Sequence, residues 1–378
     1  MARARNARKG NLKTVSIVIV LIVIIGVAAG AYMIKQSNKT GKQGNTAKTG
    51  TVKIYGAGSS FLAPQLQTWI IGFHKEYPNI TVNYASVGSG AGVAQFLKKV
   101  VDFAGTDPPL PEDKWQQYKG RVVQMPVILG AIVISYNLPG VDQPLNLTGK
   151  ILANIYLGKI KYWDDPQIRQ VNPGIKLPHK EIVAVHRSDS SGSTNIFTLF
   201  LHKSDPSDWP STMVGKTINW PVDKTGRGLG GKGNEGVTSI IKNTPYSIGY
   251  IEYSYALKEK LPVARIQNRD GKFVLPSNDT IRAAALGVLK YLPSSPLGDF
   301  NAAFNAIVYA PGPRSYPLTS FSFMVFWTKY PKDKYNAIIL FIKYINTEGR
   351  KNVIRGYVAI PDQIANLNLK SINIIKES

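Results

Sequence analysis

One run carries most of the legible chemistry: His186-Arg187-Ser188-Asp189-Ser190-Ser191-Gly192-Ser193-Thr194, a cation and a carboxylate set among hydroxyls and a glycine. The apolar residues Ile182 to Val185 before it suit a short buried strand, and Ile196, Leu199 and Phe200 after it recur at helical spacing. The hydroxyls therefore fall where a helix begins, where the first backbone N–H groups lack internal partners and carry the positive end of the helix dipole. Such a start attracts an oxyanion. Arg187 adds a guanidinium able to fork onto two oxygens, and Asp189 stands at the right spacing to hold it. The same residues also suit an ordinary Ser/Asp helix cap beside a surface arginine.

Two further stretches repeat the arrangement. Val52 to Tyr55 reads as a strand, followed by Gly56-Ala57-Gly58-Ser59-Ser60 and a helix from Phe61 onward, with Leu62, Leu66, Ile70 and Phe73 along one face. Ile80 to Tyr84 reads as a strand leading through Gly88-Ser89-Gly90 into Val93, Phe96, Leu97 and Val100. In open α/β sheets ligands bind beyond the carboxyl ends of the strands, so three such starts can converge on one anion. Gly/Ser turns are also common wherever strands meet helices. A carboxylate, Asp107, ends the next strand before Pro108 and Pro109. It is either a turn residue or an acceptor for an anion that still carries a proton, since an ionised Asp only accepts hydrogen bonds.

The elements that must position these groups occupy a 378-residue chain, long enough for two lobes with their own cores. Cysteine is absent, which removes disulfides, thiol nucleophiles, thiolate metal sites and a lipid-modified cysteine. The four histidines show no metal-ligand spacing, so no metal is expected. Of the net charge of +23, residues 1–48 hold nine Lys/Arg and no acid, leaving +14 for the remainder. No basic helix, RNA-type aromatic motif or Lys/Arg stripe accompanies that charge, so nucleic acid is not an expected partner. Attraction of small anions explains it as well.

Residues 1–14 read as a basic cytoplasmic N-terminus. Val15 to Ile34 is an apolar run of membrane-spanning length, an anchor or an uncleaved signal; a cleaved signal peptide with Ala29-Gly30-Ala31 as processing site is the rival. Residues 35–50 read as a flexible tether. Met125 to Ser135 is a long apolar run that suits a buried crossover into a second lobe, and Tyr246 to Tyr253 a strand returning from it. Gly226-Arg227-Gly228-Leu229-Gly230-Gly231-Lys232-Gly233 fits G-x-G-x-x-G, but no convincing strand precedes it and the P-loop Ser/Thr is a glycine. It is expected to be a mobile loop over a site.

Taken together, residues 51–365 resemble the phosphate-binding proteins of high-affinity phosphate ABC transporters. The likeness rests on Gly56 to Phe61, Gly88 to Gly92, Val101-Asp102-Phe103 with Thr106-Asp107, Tyr156 to Ile160 with Trp163-Asp164-Asp165, the run from His186 to Thr194, and Gly230 to Gly236. The resemblance implies an α/β, two-lobed periplasmic-binding-protein-like fold with a hinge, here preceded by one N-terminal transmembrane helix. Lobe 1 would comprise 51–125 plus 262–378, and lobe 2 126–261. Closure would bury inorganic phosphate contacted by the Ser60 side chain, the Ser60 and Phe61 backbone, and Ser89. Asp107 would accept the phosphate proton, Arg187 would supply the charged contact with Asp189 behind it, and Ser191, Gly192 and Ser193 would donate from lobe 2.

The implied function is that of an extracytoplasmic receptor, membrane-anchored and monomeric, needing no cofactor and no catalysis, that hands phosphate to ABC permease and ATPase subunits. Three alternatives compete with it: a receptor for sulfate or molybdate, a surface-anchored phosphate sensor or scavenger, and an extracellular phosphatase or serine hydrolase. Asp107 opposes the first. The hydrolase would need a histidine beside Ser191 or Ser89, and His186 should face away from Arg187 because neighbouring strand residues point to opposite sides.

Overall fold

The computed structural model describes residues 51–378. The expected cytoplasmic segment, membrane span and tether lie outside the described residues; among the described residues no helix is long and apolar enough to cross a membrane.

An eight-stranded sheet runs through both lobes. In chain order its strands are β1 (Val52–Gly58), β2 (Ile80–Ser86), β3 (Phe103–Thr106) and β4 (Val122–Asn137), followed, after a short separate strand β5 (Asn146–Leu147), by β6 (Val183–Arg187), β7 (Gly228–Gly231) and β8 (Ser247–Glu252). The strands β9 (Arg265–Gln267) and β10 (Phe273–Val274) form a three-stranded sheet with β5, and β11 (Thr319–Trp327) returns to the main sheet. The spatial order is β2-β1-β3-β11-β4-β8-β6-β7. β1, β2 and β3 are mutually parallel on one side, and β6, β7 and β8 on the other. Both groups aim the carboxyl ends of their strands at helix starts.

The two groups are joined by β4. Its residues 122–131 pair antiparallel with β11, and residues 132–137 pair antiparallel with β8. Continuous burial along this strand explains why it reads as an unbroken apolar run rather than an alternating one. The expected division between residues 125 and 126 falls inside this strand, and the expected division between 261 and 262 precedes strands that pair back toward lobe 2. β9 pairs with β5, so residues 265–274 sit beside a segment placed in lobe 2.

Pro126 lies within the central strand, where a missing N–H normally breaks a ladder. The register shifts there, between Ser322 and Phe323 of β11, and this bulge accommodates the proline. Packing is closest where the helix Ser89–Leu97 crosses β1: a Cβ on Gly92 would stand 2.2 Å from the Gly58 Cα, so only glycine permits that approach. Trp69, Phe73, Phe103 and Phe341 fill the core behind these strands.

The Gly226–Gly233 run is not a mobile loop. Gly228–Gly231 is the edge strand β7, registered in parallel on Ala184 to Arg187, and the helix Gly233–Asn243 follows. Glycines carry no side chain to show a period of two, which hides a strand of this composition. Before it, Pro221–Thr225 forms a 3₁₀ turn, and buried Arg227 donates to the Gly158 and Ile160 carbonyls at 2.8 and 3.1 Å. The segment leading into β7 is thus built into the lobe.

Candidate functional site

Four helix starts meet at one buried point. The first follows β1 through Ser59, Ser60 and Phe61 to the helix Ala63–Glu76; the second is the Ser89–Leu97 helix; the third is Gly192–Ser204, capped by the Ser191 hydroxyl on the Thr194 N–H at 3.1 Å; the fourth is Gly233–Asn243. Three cross-links tie them together. Gly90 N–H donates to the Ser190 carbonyl at 3.0 Å, Gly233 N–H to Asp189 Oδ1 at 3.1 Å, and both Asn234 N–H and Asn234 Nδ2 to Ser60 Oγ at 3.0 Å. Ser60, Ser89, Asp107, Arg187, Ser191 and Ser193 are each at most 4 % exposed. In so dry a setting each uncompensated charge or dipole carries more weight than in water.

Asp107 sits at the centre of a hydroxyl cage. Oδ1 accepts from Ser59 Oγ, and from Ser322 Oγ at 3.1 Å; Oδ2 accepts from Ser89 Oγ at 3.2 Å. Burial pushes this carboxyl above its ordinary range, while the Ser59 and Ser322 hydroxyls, Arg187 and Ser89 pull it back. A carboxylate so placed has a high proton affinity and only hydroxyl neighbours to satisfy it. It is suited to sharing a proton with an acidic oxygen.

Arg187 ends β6, and its guanidinium is clamped by Asp189: Nε donates to Oδ1 at 2.7 Å and Nη2 to Oδ2 at 2.6 Å. Burial works to raise the Asp189 carboxyl, and the guanidinium outweighs it, so the group lies below its usual range and stays ionised. The fork uses one edge of the guanidinium. The remaining nitrogen, Nη1, reaches Ser193 Oγ at 3.5 Å, toward the helix start.

Among the described residues the backbone N–H groups of Ser60, Phe61, Gly192 and Ser193 donate to no protein acceptor. Ser191 differs, because its N–H is committed to the Lys216 carbonyl at 2.8 Å and its hydroxyl serves as the helix cap. Its donor role reduces to the hydroxyl proton. All nine residues singled out from the sequence, including Asp189, thus belong to one cluster, and its chemistry is that of hydrogen-bond donors around the Asp107 carboxylate, with the Asp189 carboxylate taken up by Arg187 and the Gly233 N–H.

Several members escaped sequence reasoning. Ser59 and Ser322 supply hydroxyls to Asp107; a serine inside the otherwise apolar β11 was the available signal. Asn234 bridges Ser60 and the Glu252 N–H, which donates to its Oδ1 at 2.9 Å. Lys216 borders the cluster as a further cation; burial draws its ammonium down to about 8 while Asp107 opposes that change. His186 faces away, as expected: its Nε2 meets Asp223 Oδ1 at 2.8 Å, and its ring stacks on Trp220. Asp164 is held by Arg169 and His179, and Asp165 caps a short helix through the Gln167 N–H. Among the described residues no group of three His, Cys, Asp or Glu side chains is arranged to hold a metal.

Known proteins resemble this chain over most of its length. A family model described as the PBP superfamily domain matches residues 43–348. The phosphate-binding protein PstS of Methanocaldococcus jannaschii is 39 % identical over 379 residues, covering 97 % of this chain and 96 % of that protein. The chain belongs to the PstS family of the PBP superfamily. The PstS of Haemophilus influenzae is 38 % identical over 316 residues, covering 82 % of this chain and 90 % of its own length. Among solved structures, a putative phosphate ABC transporter substrate-binding protein from Clostridium perfringens, with bound phosphate, superposes with a TM-score of 0.58 at 15 % identity, covering 82 % of this chain and all of that one. That likeness establishes the two-lobed α/β fold.

Proposed function

We propose that this protein is the extracytoplasmic receptor of a phosphate ABC importer, closing on inorganic phosphate between its lobes and handing it to the permease and ATPase subunits. The observation that carries the proposal is the buried pairing of opposite demands. Asp107, an acceptor in a cage of hydroxyls, lies in the same cluster as four helix starts and the clamped Arg187. A protonated phosphate meets both demands. A fully deprotonated oxyanion such as sulfate satisfies the donors and leaves Asp107 facing another charge.

In this reading Ser60 Oγ, Ser89 Oγ and the N–H groups of Ser60, Phe61, Gly192 and Ser193 bind the phosphate oxygens. Arg187 supplies the charged contact through the edge that Asp189 leaves open, and Ser191 contributes its hydroxyl. Asp107 takes the phosphate proton. No cofactor, metal or catalytic group takes part. The closing bodies are those read from the sequence, with the first boundary moved to residues 131/132 of β4, where its pairing passes from β11 to β8, and the boundary after β8 moved beyond β10 because β9 pairs with β5. The apolar run 15–34 anchors a monomer to the outer face of the membrane.

Calorimetric titration of the full chain, stripped of ligand, tests this directly. Phosphate should bind tightly at one site, with micromolar affinity or better corresponding to about 8 kcal/mol, and sulfate should give no response. Equal affinity for both anions would retain an oxyanion receptor and remove the proton-accepting role of Asp107. No binding of either would overturn the receptor reading.

A further inference from the structure

The helix Gly192–Ser204 has a second end. Its thirteen residues span roughly 20 Å at the α-helical rise, and its last turn carries Lys203 into a cavity of about 360 Å³, well removed from the cluster at its start. The cavity is lined by Lys203, Arg269 and Lys290, with the rings of Tyr291 and Tyr309 and an apolar floor at Val288. No carboxylate lines it. Three cations from separate elements thus surround one concavity: Lys203 from this helix, Arg269 from the turn after β9, and Lys290 from the 3₁₀ turn Leu289–Tyr291.

Each cation has a different reason to favour an anion. Lys203 Nζ donates to the Val308 carbonyl at 3.1 Å and to that of Asn305, which leaves one of its three ammonium protons without an acceptor among the described residues. Burial pulls this ammonium down to about 8, and Arg269 adds to the effect, so a bound anion would relieve it. No carboxylate of the cavity lining pairs with Arg269 or Lys290, and Lys290 lies 5.1 Å over the Tyr291 ring. Tyr309 holds its backbone in the left-handed region, at φ 62°. An aromatic side chain there is strained, and strain of this kind persists where the surroundings over-determine it.

We propose that this cavity is a second ligand site, specific for a small phosphomonoester with a ring-bearing body. Lys203, Arg269 and Lys290 would take the phosphate, and Tyr291 and Tyr309 the ring. The volume lies at the lower end of small-molecule pockets, about 300–1,000 Å³, and exceeds what a bare phosphate ion fills. The apolar floor likewise has no use for a fully hydrated inorganic ion. A multivalent anion suits three cations better than a monocarboxylate does.

Phenyl phosphate is the probe. The full chain is first given inorganic phosphate at slight molar excess, then titrated calorimetrically with phenyl phosphate, with phenol and additional inorganic phosphate as parallel arms. One further saturable event is expected for phenyl phosphate and none for phenol. Arg269→Ala and Lys290→Ala, both at exposed positions, should each weaken that event at least tenfold while leaving the melting temperature and the first phosphate affinity unchanged. Absence of the second event, or its persistence at full strength in both variants, overturns the site. Additional inorganic phosphate binding as tightly as phenyl phosphate overturns the assigned ligand class.

Discussion

Gly192 opens its helix directly against Asp107: a Cβ on Gly192 would lie 2.2 Å from Asp107 Oδ2 and 2.6 Å from Ser89 Oγ. The two residues come from opposite groups of parallel strands, so a side chain added at this contact would press the two groups apart. A methyl group at Gly192 is incompatible with this distance. Gly192→Ala is therefore expected to fold and to remain open. Overpacking of this kind costs roughly 1–3 kcal/mol, which would appear as phosphate affinity weakened by about one to two orders of magnitude. Solution scattering should show the wild type compacting on phosphate and the variant compacting less; equal compaction would mean that the two groups can separate without opening the cleft.

Asp107→Asn tests the proton-sharing account. The amide presents a donor where the carboxylate presents only acceptors, and it removes the charge that repels a deprotonated oxyanion. A site built to pair one hydrogen-bonding group can reject its mismatch by roughly 10⁴. The variant should lose at least tenfold of the preference for phosphate over sulfate, measured by competitive titration. Unchanged selectivity would leave Asp107 as a turn residue held by serines.

What was legible in the sequence follows from what each residue needed as neighbours. The starts at Ser60, Ser89 and Ser191 could be read because strand, glycine/serine turn and helical period lie within one short window. Arg187 and Asp189 are two residues apart, and their fork is a local property of the end of β6. Ser322 reaches Asp107 only because β11 returns between β3 and β4, 215 residues further along the chain. Nothing near it in sequence announces that. Asn234 was concealed by its glycine-rich surroundings, since β7 has almost no side chains to reveal an edge strand and hence no apparent reason for a helix to start at Gly233. The continuous β4 could be recognised as buried, but not that it serves both lobes, because period and burial are the same in each half.

The Arg187–Asp189 pair should separate binding from stability. Removing the guanidinium alone leaves a carboxylate at 12 % side-chain exposure without its partner, and breaking a buried pair in this way typically costs about 3–5 kcal/mol. Arg187→Ala should accordingly lower both phosphate affinity and resistance to denaturant. Removing both charges in Arg187→Ala/Asp189→Ala should recover much of the stability and none of the affinity. If the double variant binds phosphate as the wild type does, the guanidinium is a structural clamp and not a ligand contact.

Glu252 predicts a pH dependence of folding. It ends β8 with 0 % exposure, caps the helix Tyr253–Glu259 by accepting the Ser254 N–H at 2.9 Å, and its Oε1 has no hydrogen-bond partner. Burial pushes the carboxyl up to about 8; Ser254 and Tyr357 oppose this, and Asp107 adds to it. A carboxyl raised in the folded state binds its proton more tightly there than in the unfolded chain, so its contribution to stability is complete below the unfolded value of 4.5 and is lost as pH rises through about 8. Glu252→Gln keeps the neutral form at every pH. The wild type should therefore melt at progressively lower temperature from pH 5 to pH 9, and the variant should lose most of that slope and melt higher than the wild type at pH 9. Parallel melting curves across this range would show that Glu252 ionises as easily in the fold as outside it. Because Asn234 Oδ1 accepts the Glu252 N–H, strain from ionisation would pass to the contact between Asn234 and Ser60, so phosphate affinity in the wild type should weaken over the same pH interval more than in Glu252→Gln.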